Sequence, residues 1–479
     1  MPVSPLSSLL PASSAPRFGV GNRRWFLGRS AQAVGGAAAA ATLGPLGDVF
    51  APTVARAQEG EQRTPPNDVI AEWRRFADNF GREHDLDLSG RGSRIAFICL
   101  SNRLRGEDVV TDLDHARKQR AMLTGLGGLI PNAELIDFPL KDLNQADYWD
   151  IGDSGRGDLV VYKRGLPGTI ADNAQGISEM MEGILTTELK TVTRMLNTIA
   201  SEEKGKYQVI HLAVGMSNFI AMDRVYSLLE RHSDQFPNIR QLVYNPDDDR
   251  AGNRLALTNN PEDRLTKMRL LKQYFDAHLI LKPDEGRLAT MLGAYRDALK
   301  KVVDDADAVL VLPFGNDQDE LETYREAGYG TDDFVSLFTR TGEELNDAVI
   351  RVAGSNVNNT VMDLSDDTIS TSSMPGTETI LPTIAAPGHR VVVTMPPRQE
   401  GGRPRSLVRT GTSVSTALGV GAVAMARRAS DNRLTARETV QLIQRTAYPH
   451  SNLTRRQVGA GLLDFEKLLT EAEKLRNGN

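Results

Sequence analysis

The chain has 479 residues, enough for one large domain or two ordinary ones, and 40% hydrophobic with 25% charged residues is the balance of a globular protein. Its formal charge of −6 argues against nucleic acid as a partner. Cys99 is the only cysteine, which excludes an internal disulfide.

The N-terminus differs from the rest. "NRRWFLGRS" at 22–30 sets Arg23 and Arg24 before Trp25, Phe26 and Leu27. An Ala/Gly-rich stretch follows, and "VARAQ" supplies an A-x-A site for cleavage after Ala57. This resembles a twin-arginine export signal. It implies a protein that folds before export and works in the periplasm or outside the cell. Pro45 and Pro52 break the segment, so no stable membrane span is expected after its removal. Residues 1–57 hold five arginines and one aspartate, so the remaining chain carries −10.

Residues 58–92 read as a polar linker and an amphipathic helix, with Val69, Ile70, Trp73, Phe76 and Phe80 at helical spacing. From there strands and helices alternate. Buried-strand runs are "IAFICL" (95–100), "AELIDF" (133–138), "LVVYK" (159–163), "QVIHLAV" (208–214), "AVLVLP" (308–313), "AVIRVAG" (348–354) and "RVVVTM" (390–395). Helices are predicted at 111–124, 174–203, 287–304, 413–428 and 435–446. Thr435 and Glu438 stand at capping-box spacing before the last. The pattern predicts an α/β fold with a largely parallel central sheet flanked by helices in three layers. Residues 219–286 read as an insertion into a domain spanning 93–479. No P-loop and no strand-linked G-x-G-x-x-G occurs, which leaves a nucleotide-binding domain without support.

Four motifs carry chemistry, in one order. "AVLVLPFGND" ends a strand in Gly315-Asn316, "LPTIAAPG" follows at 381–388, "RTGTSVSTA" opens a helix at 409–417, and "VGAGLLDFEKLL" (458–469) precedes the last helix. Alone, Gly-Asn is a turn and Thr-Ser before a helix is a cap. Together and in this order they resemble the C-terminal half of subtilisin-like serine peptidases. The resemblance implies a subtilisin-like fold, Ser413 as nucleophile, Asn316 as oxyanion donor, and a peptide or protein as substrate or ligand. Calcium is implied by resemblance only; the sequence itself indicates no cofactor and shows no EF-hand spacing. Ala417 stands where the family has proline.

The first half of the pattern departs from the family. Cys99 stands where the catalytic aspartate of D-[ST]-G belongs, and no His-Gly-Thr occurs. Of seven histidines, His115 lies on the appropriate helix, with charged Arg117 and Lys118 where the family has small residues; His211 reads as a core residue. Asp112, three positions before His115, is a candidate orienting acid on the same helix face. Glu179 and Glu182 are candidate carboxylate bases. About 35 residues separate Ala57 from the first strand, less than the folded propeptide usual in the family. Two readings follow: a weak or inactive pseudoprotease that binds peptide or protein, or an active atypical endopeptidase using Ser413 with His115 or a helix-borne carboxylate.

Overall fold

Long apolar runs become the interior strands of a sheet covered on both faces. A computed structural model describes residues 67–99, 115–139, 174–223, 265–266, 268–269, 271–273, 286–397 and 402–477, all within one unit, 44–479. The sheet takes β1 (Arg94–Cys99), β2 (Glu134–Pro139), β3 (Val209–Ala213), β4 (Val309–Pro313), β5 (Val349–Asn356), β6 (Thr368–Ile369) and β7 (Ile384–Pro387). The order is β2-β1-β3-β4-β5-β7, parallel throughout, and β6 adds a two-residue antiparallel pairing to the end of β5. β1, β3 and β4 are buried almost end to end, because helices lie on both faces.

The helices, in chain order, include α1 (Val69–His84), α2 (His115–Leu123), α3 (Ala174–Ala200), α4 (Gly286–Asp304), α5 (Thr412–Ala429), α6 (Ala436–Thr446) and α7 (Phe465–Arg476). α5 runs across β3, β4, β5 and β7 and against α2. Its small residues permit this: a Cβ on Gly419 would lie 3.4 Å from Val352 and 3.5 Å from Val311. Val311 and Val352 therefore face α5. Arg351, next to Val352 on β5, faces the other layer, where it meets Asn346 and Thr339. α3 and α4 pack on each other. α1 is tied down by Trp73, which stacks on Phe465 of α7 at 4.5 Å between centroids.

Two expectations change. "RVVVTM" is no parallel strand of the main sheet. Val391–Met395 forms β8, paired antiparallel with β9 (Arg405–Arg409) in a separate hairpin. Val391, Val393 and Met395 are buried and Val392 and Thr394 only partly so, the alternation of a strand with one covered face. The segment "IAAP", read as part of a turn, is β7 instead, and Pro387 sits at its last position. "LVVYK" and most of 219–286 lie outside the described residues. Among the described residues no helix is long and apolar enough to cross a membrane.

Candidate active site

The order of strands reverses beside β1, since β2 follows on one side and β3 on the other. In parallel sheets such a switch opens a crevice at the carboxyl ends of the strands. The candidate residues gather at that end. Cys99 is the last residue of β1, Asn316 follows β4 by three positions, Gly388 follows β7, and Ser413 is in the first turn of α5.

The serine turn is built from backbone in close approach. Gly411 has φ 142°, a region that favours glycine, and its N–H donates to Gly388 O at 2.8 Å. Gly388 N–H in turn donates to Ser355 O at 2.9 Å. A Cβ on Gly388 would run into Ser415 Oγ and lie 3.3 Å from Gly354 Cα. Three chain segments therefore meet where side chains do not fit, which places the N-terminus of α5 over the end of β5.

Asn316 is held to that turn. Its Oδ1 accepts from Thr412 N at 2.5 Å and from Thr412 Oγ1 at 2.8 Å. Two donors on one oxygen decide the orientation of the amide and leave Nδ2 for another acceptor. Gly315, with φ 145°, allows the chain to turn into this position. Ser413 is half-buried, and its Oγ makes no hydrogen bond among the described residues. Thr412 N–H donates to Asn316, and the N–H groups of Val414 and Ser415 donate to Gly411 O. In the first turn of α5 Ser413 N–H is therefore left without an acceptor among the described residues, at the positive end of the helix dipole and with no acid there to oppose it.

His115 opens α2, and its Nδ1 lies 3.1 Å from Cys99 Sγ. The residue facing the imidazole is thus a thiol from the end of β1. Asp112 lies outside the described residues. Burial, helped by the charge of Lys118, holds the His115 imidazole down to about 4. Beneath it His211 is a core residue. It stacks on Phe97 at 4.7 Å and shares a 3.1 Å contact between Nε2 and Gln119 Oε1. Burial first, then the neighbouring His115, lowers His211 to about 3.

The structure therefore brings together two pairs, Asn316 with the Ser413 turn and His115 with Cys99. No hydrogen bond joins Ser413 Oγ to His115 among the described residues. Glu179 and Glu182 belong to α3 at positions whose side chains lie outside the described residues. Glu188 on the same helix is buried, and burial pushes its carboxyl up to about 7. Asp317, beside Asn316, is likewise pushed up to about 7 by burial and by the charges of Glu320 and Asp223. No group of three or more His, Cys, Asp or Glu is arranged to hold a metal ion among the described residues.

Residues 283–462 match the sequence model of the subtilase family. This segment is subtilase in pattern. It contains Asn316, the "IAAPG" segment of β7 and Gly388, and Ser413, and it ends within the "VGAGLLDF" motif. The subtilase match begins after α3, so β1, α2 and their Cys99–His115 pair lie outside it. No curated protein matches the chain in sequence. Solved structures that are similar include the PatG macrocyclase in complex with peptide, 11% identical, covering 86% of this chain and 98% of that one, with a TM-score of 0.42. MycP3 protease from the type VII (ESX-3) secretion system is 16% identical, covering 86% and 90%, with a TM-score of 0.41. The self-cleaved protease domain of PatA is 13% identical, covering 81% and 98%, with a TM-score of 0.39.

Sequence reasoning missed one partnership. It noted Cys99 at the place of the acid but looked to Asp112, on the helix itself, for the group that orients His115. The available signal was the position of Cys99 at the carboxyl end of the apolar run "IAFIC", the end of a parallel strand where functional side chains gather.

Proposed function

We propose that this chain is an exported subtilisin-like protein that binds an extended peptide or protein segment and turns it over weakly or not at all. The observation that carries this reading is the Cys99 thiol at 3.1 Å from His115 Nδ1. A working triad places a carboxylate there. It fixes the tautomer and stabilises the imidazolium that forms when histidine takes the serine proton. A thiol is a weak donor and a weak acceptor and carries no comparable stabilising charge. A histidine held near 4 is also a poor match for a base working near neutrality. Losing the orienting acid alone costs about 10⁴ in turnover.

The oxyanion side supports the family's binding chemistry. Asn316 Nδ2 and the N-terminus of α5 would face a peptide carbonyl brought to Ser413, and one such donor contributes about 2.7–4 kcal/mol. The groove would hold the peptide as an added strand. The paired arginines and the A-x-A site support export through the twin-arginine route to the periplasm or beyond. The reading requires no cofactor. The alternative, an atypical endopeptidase using Ser413 and His115, draws on the Asn316 amide, whose Oδ1 is held by Thr412 so that Nδ2 is left for a substrate oxygen.

Labelling of the mature protein with a fluorophosphonate, beside Ser413→Ala, separates the two. Negligible labelling of folded protein is expected. Rapid labelling that vanishes in Ser413→Ala would overturn the inactive reading and establish a working base.

A further inference from the structure

A buried positive charge lies away from the serine turn. Arg351 is the third residue of β5 and is 6% exposed. Its guanidinium offers five N–H donors. One nitrogen donates to Thr339 O at 3.3 Å and another to Asn346 Oδ1 at 2.6 Å. Nε is buried and has no acceptor. No carboxylate among the described residues pairs with it. The titratable neighbour that acts on it is Tyr295, whose hydroxyl donates to Phe338 O at 2.9 Å and whose ionisation burial opposes. Burial lowers the guanidinium to about 10. Buried cations in folded proteins are ordinarily paired, because an uncompensated charge is strongly destabilising.

A cavity of about 320 Å³ adjoins this side chain. Asn346, Thr383, Gln444, Arg455 and Gly459 line it with Arg351. Arg455 is exposed and has no ion pair among the described residues. The carboxylates nearby in sequence are engaged elsewhere: Glu378 with Arg456 at 3.1 Å, and Asp347 with Arg437. Thr383 Oγ1 is committed, accepting from Arg351 N at 3.1 Å and donating to Val349 O at 3.1 Å. The polar lining of the cavity is thus two arginines, the amides of Asn346 and Gln444 and two threonines, and it includes no acid.

The catalytic candidates lie elsewhere. Gly354 and Ser355 toward the end of β5 and Gly388 just after β7 meet the serine turn, whereas Arg351 lies earlier on β5 and Thr383 just before β7. Arg351 also projects from the face opposite α5. A ligand here would not touch Ser413.

We propose that this cavity binds an oxyanion, the phosphate or carboxylate group of a small molecule, with Arg351 as the buried anchor and Arg455 as the exposed clamp. Two guanidinium groups suit such a group, because their planar donors form charge-assisted pairs with tetrahedral or planar oxyanions. The occupant supplies the counter-charge that the protein itself withholds. It also bridges β5, α6 and the segment around 455–460, which meet at this cavity.

The test is calorimetry and thermal unfolding of the full chain with inorganic phosphate and, separately, with citrate, against sodium chloride at equal ionic strength. Saturable one-to-one binding of at least one is expected. Preference for phosphate or for citrate identifies the source of the oxyanion. Arg351→Met removes a core side chain and risks misfolding, so Arg455→Ala, on the surface, carries the comparison. It is expected to weaken binding about tenfold, the loss of one charge-assisted contact. Absence of any saturable effect beyond that of chloride, or unchanged affinity in folded Arg455→Ala, overturns the proposal.

Discussion

Replacing Cys99 by aspartate supplies the charge that His115 lacks. The wild-type imidazole is held from its usual 6.5 down to about 4, which amounts to about 3 kcal/mol against the charged form. A carboxylate within hydrogen-bond reach of Nδ1 raises a histidine by roughly 1–3 pH units, or about 1.4–4 kcal/mol, enough to offset most of that deficit. Since loss of the orienting acid costs about 10⁴ in turnover, its return is expected to raise the reactivity of Ser413 by about 10²–10⁴. The substitution has a cost in stability. Cys99 is 2% exposed, and a carboxylate there is desolvated by several kcal/mol before its pairing with the imidazolium is counted. A lower Tm is therefore expected together with higher reactivity. The assay is the second-order rate of fluorophosphonate labelling of Cys99→Asp, with Cys99→Asp/Ser413→Ala as background, beside an NMR titration of His115. If His115 titrates higher and the protein is folded, yet labelling is no faster, His115 is out of reach of Ser413 and the triad reading fails. If His115 titrates as before, the contact with the end of β1 is itself refuted.

Further expectations concern stability. Asp367 is 1% exposed and its carboxyl is pushed from 3.8 up to about 7 by burial, with the Asp366 and Asp363 charges adding to it. The folded form therefore holds a proton that the unfolded chain has released, and stability falls as pH rises from about 4 to 7. Asp367→Asn should be more stable than wild type at pH 8, by up to about 4 kcal/mol, and no more stable below pH 4, as read by urea unfolding at both pH values. Equal effects at both would refute the assignment. His115 has the opposite sign: the unfolded chain takes up a proton first, so the imidazole lowers stability by about 3 kcal/mol as pH falls from 6.5 to about 4. Arg427, 3% exposed, pairs with Asp307 at 2.7 Å and donates to Gln208 O at 3.1 Å. Asp307→Ala leaves that cation buried, and a loss of about 3–5 kcal/mol is expected in denaturant titration. Gly388→Ala should destabilise by about 1–3 kcal/mol through overpacking against Ser415, and Ser415→Ala should recover part of it in a double-mutant cycle; strict additivity would contradict the close approach.

The elements most legible in the sequence are those specified by near neighbours along the chain. The run "VLVLP" reads as an interior strand because every residue is apolar and short-range, and it is one. Thr435 and Glu438 read as a capping box from their spacing, and Thr435 N donates to Glu438 Oε2 at 2.8 Å as that spacing requires. Gly411 before Thr412 and Ser413 marks a turn into a helix, since it is the one residue that takes φ 142° without strain. Partners distant along the chain were less accessible. The run "RVVVTM" is as apolar as the parallel strands, and only pairing with Arg405–Arg409 reveals a hairpin. Cys99 and His115 are sixteen positions apart on different elements, and their contact depends on how α2 lies over β1. Arg351 is an ordinary charged residue until β5 is flanked on both sides, and its desolvation then follows from its neighbours in space. Periodicity, caps and glycine turns are local terms and are written in consecutive residues. Strand partners, the group facing a histidine and the burial of a charge are set by non-local packing, and the tertiary structure alone decides them.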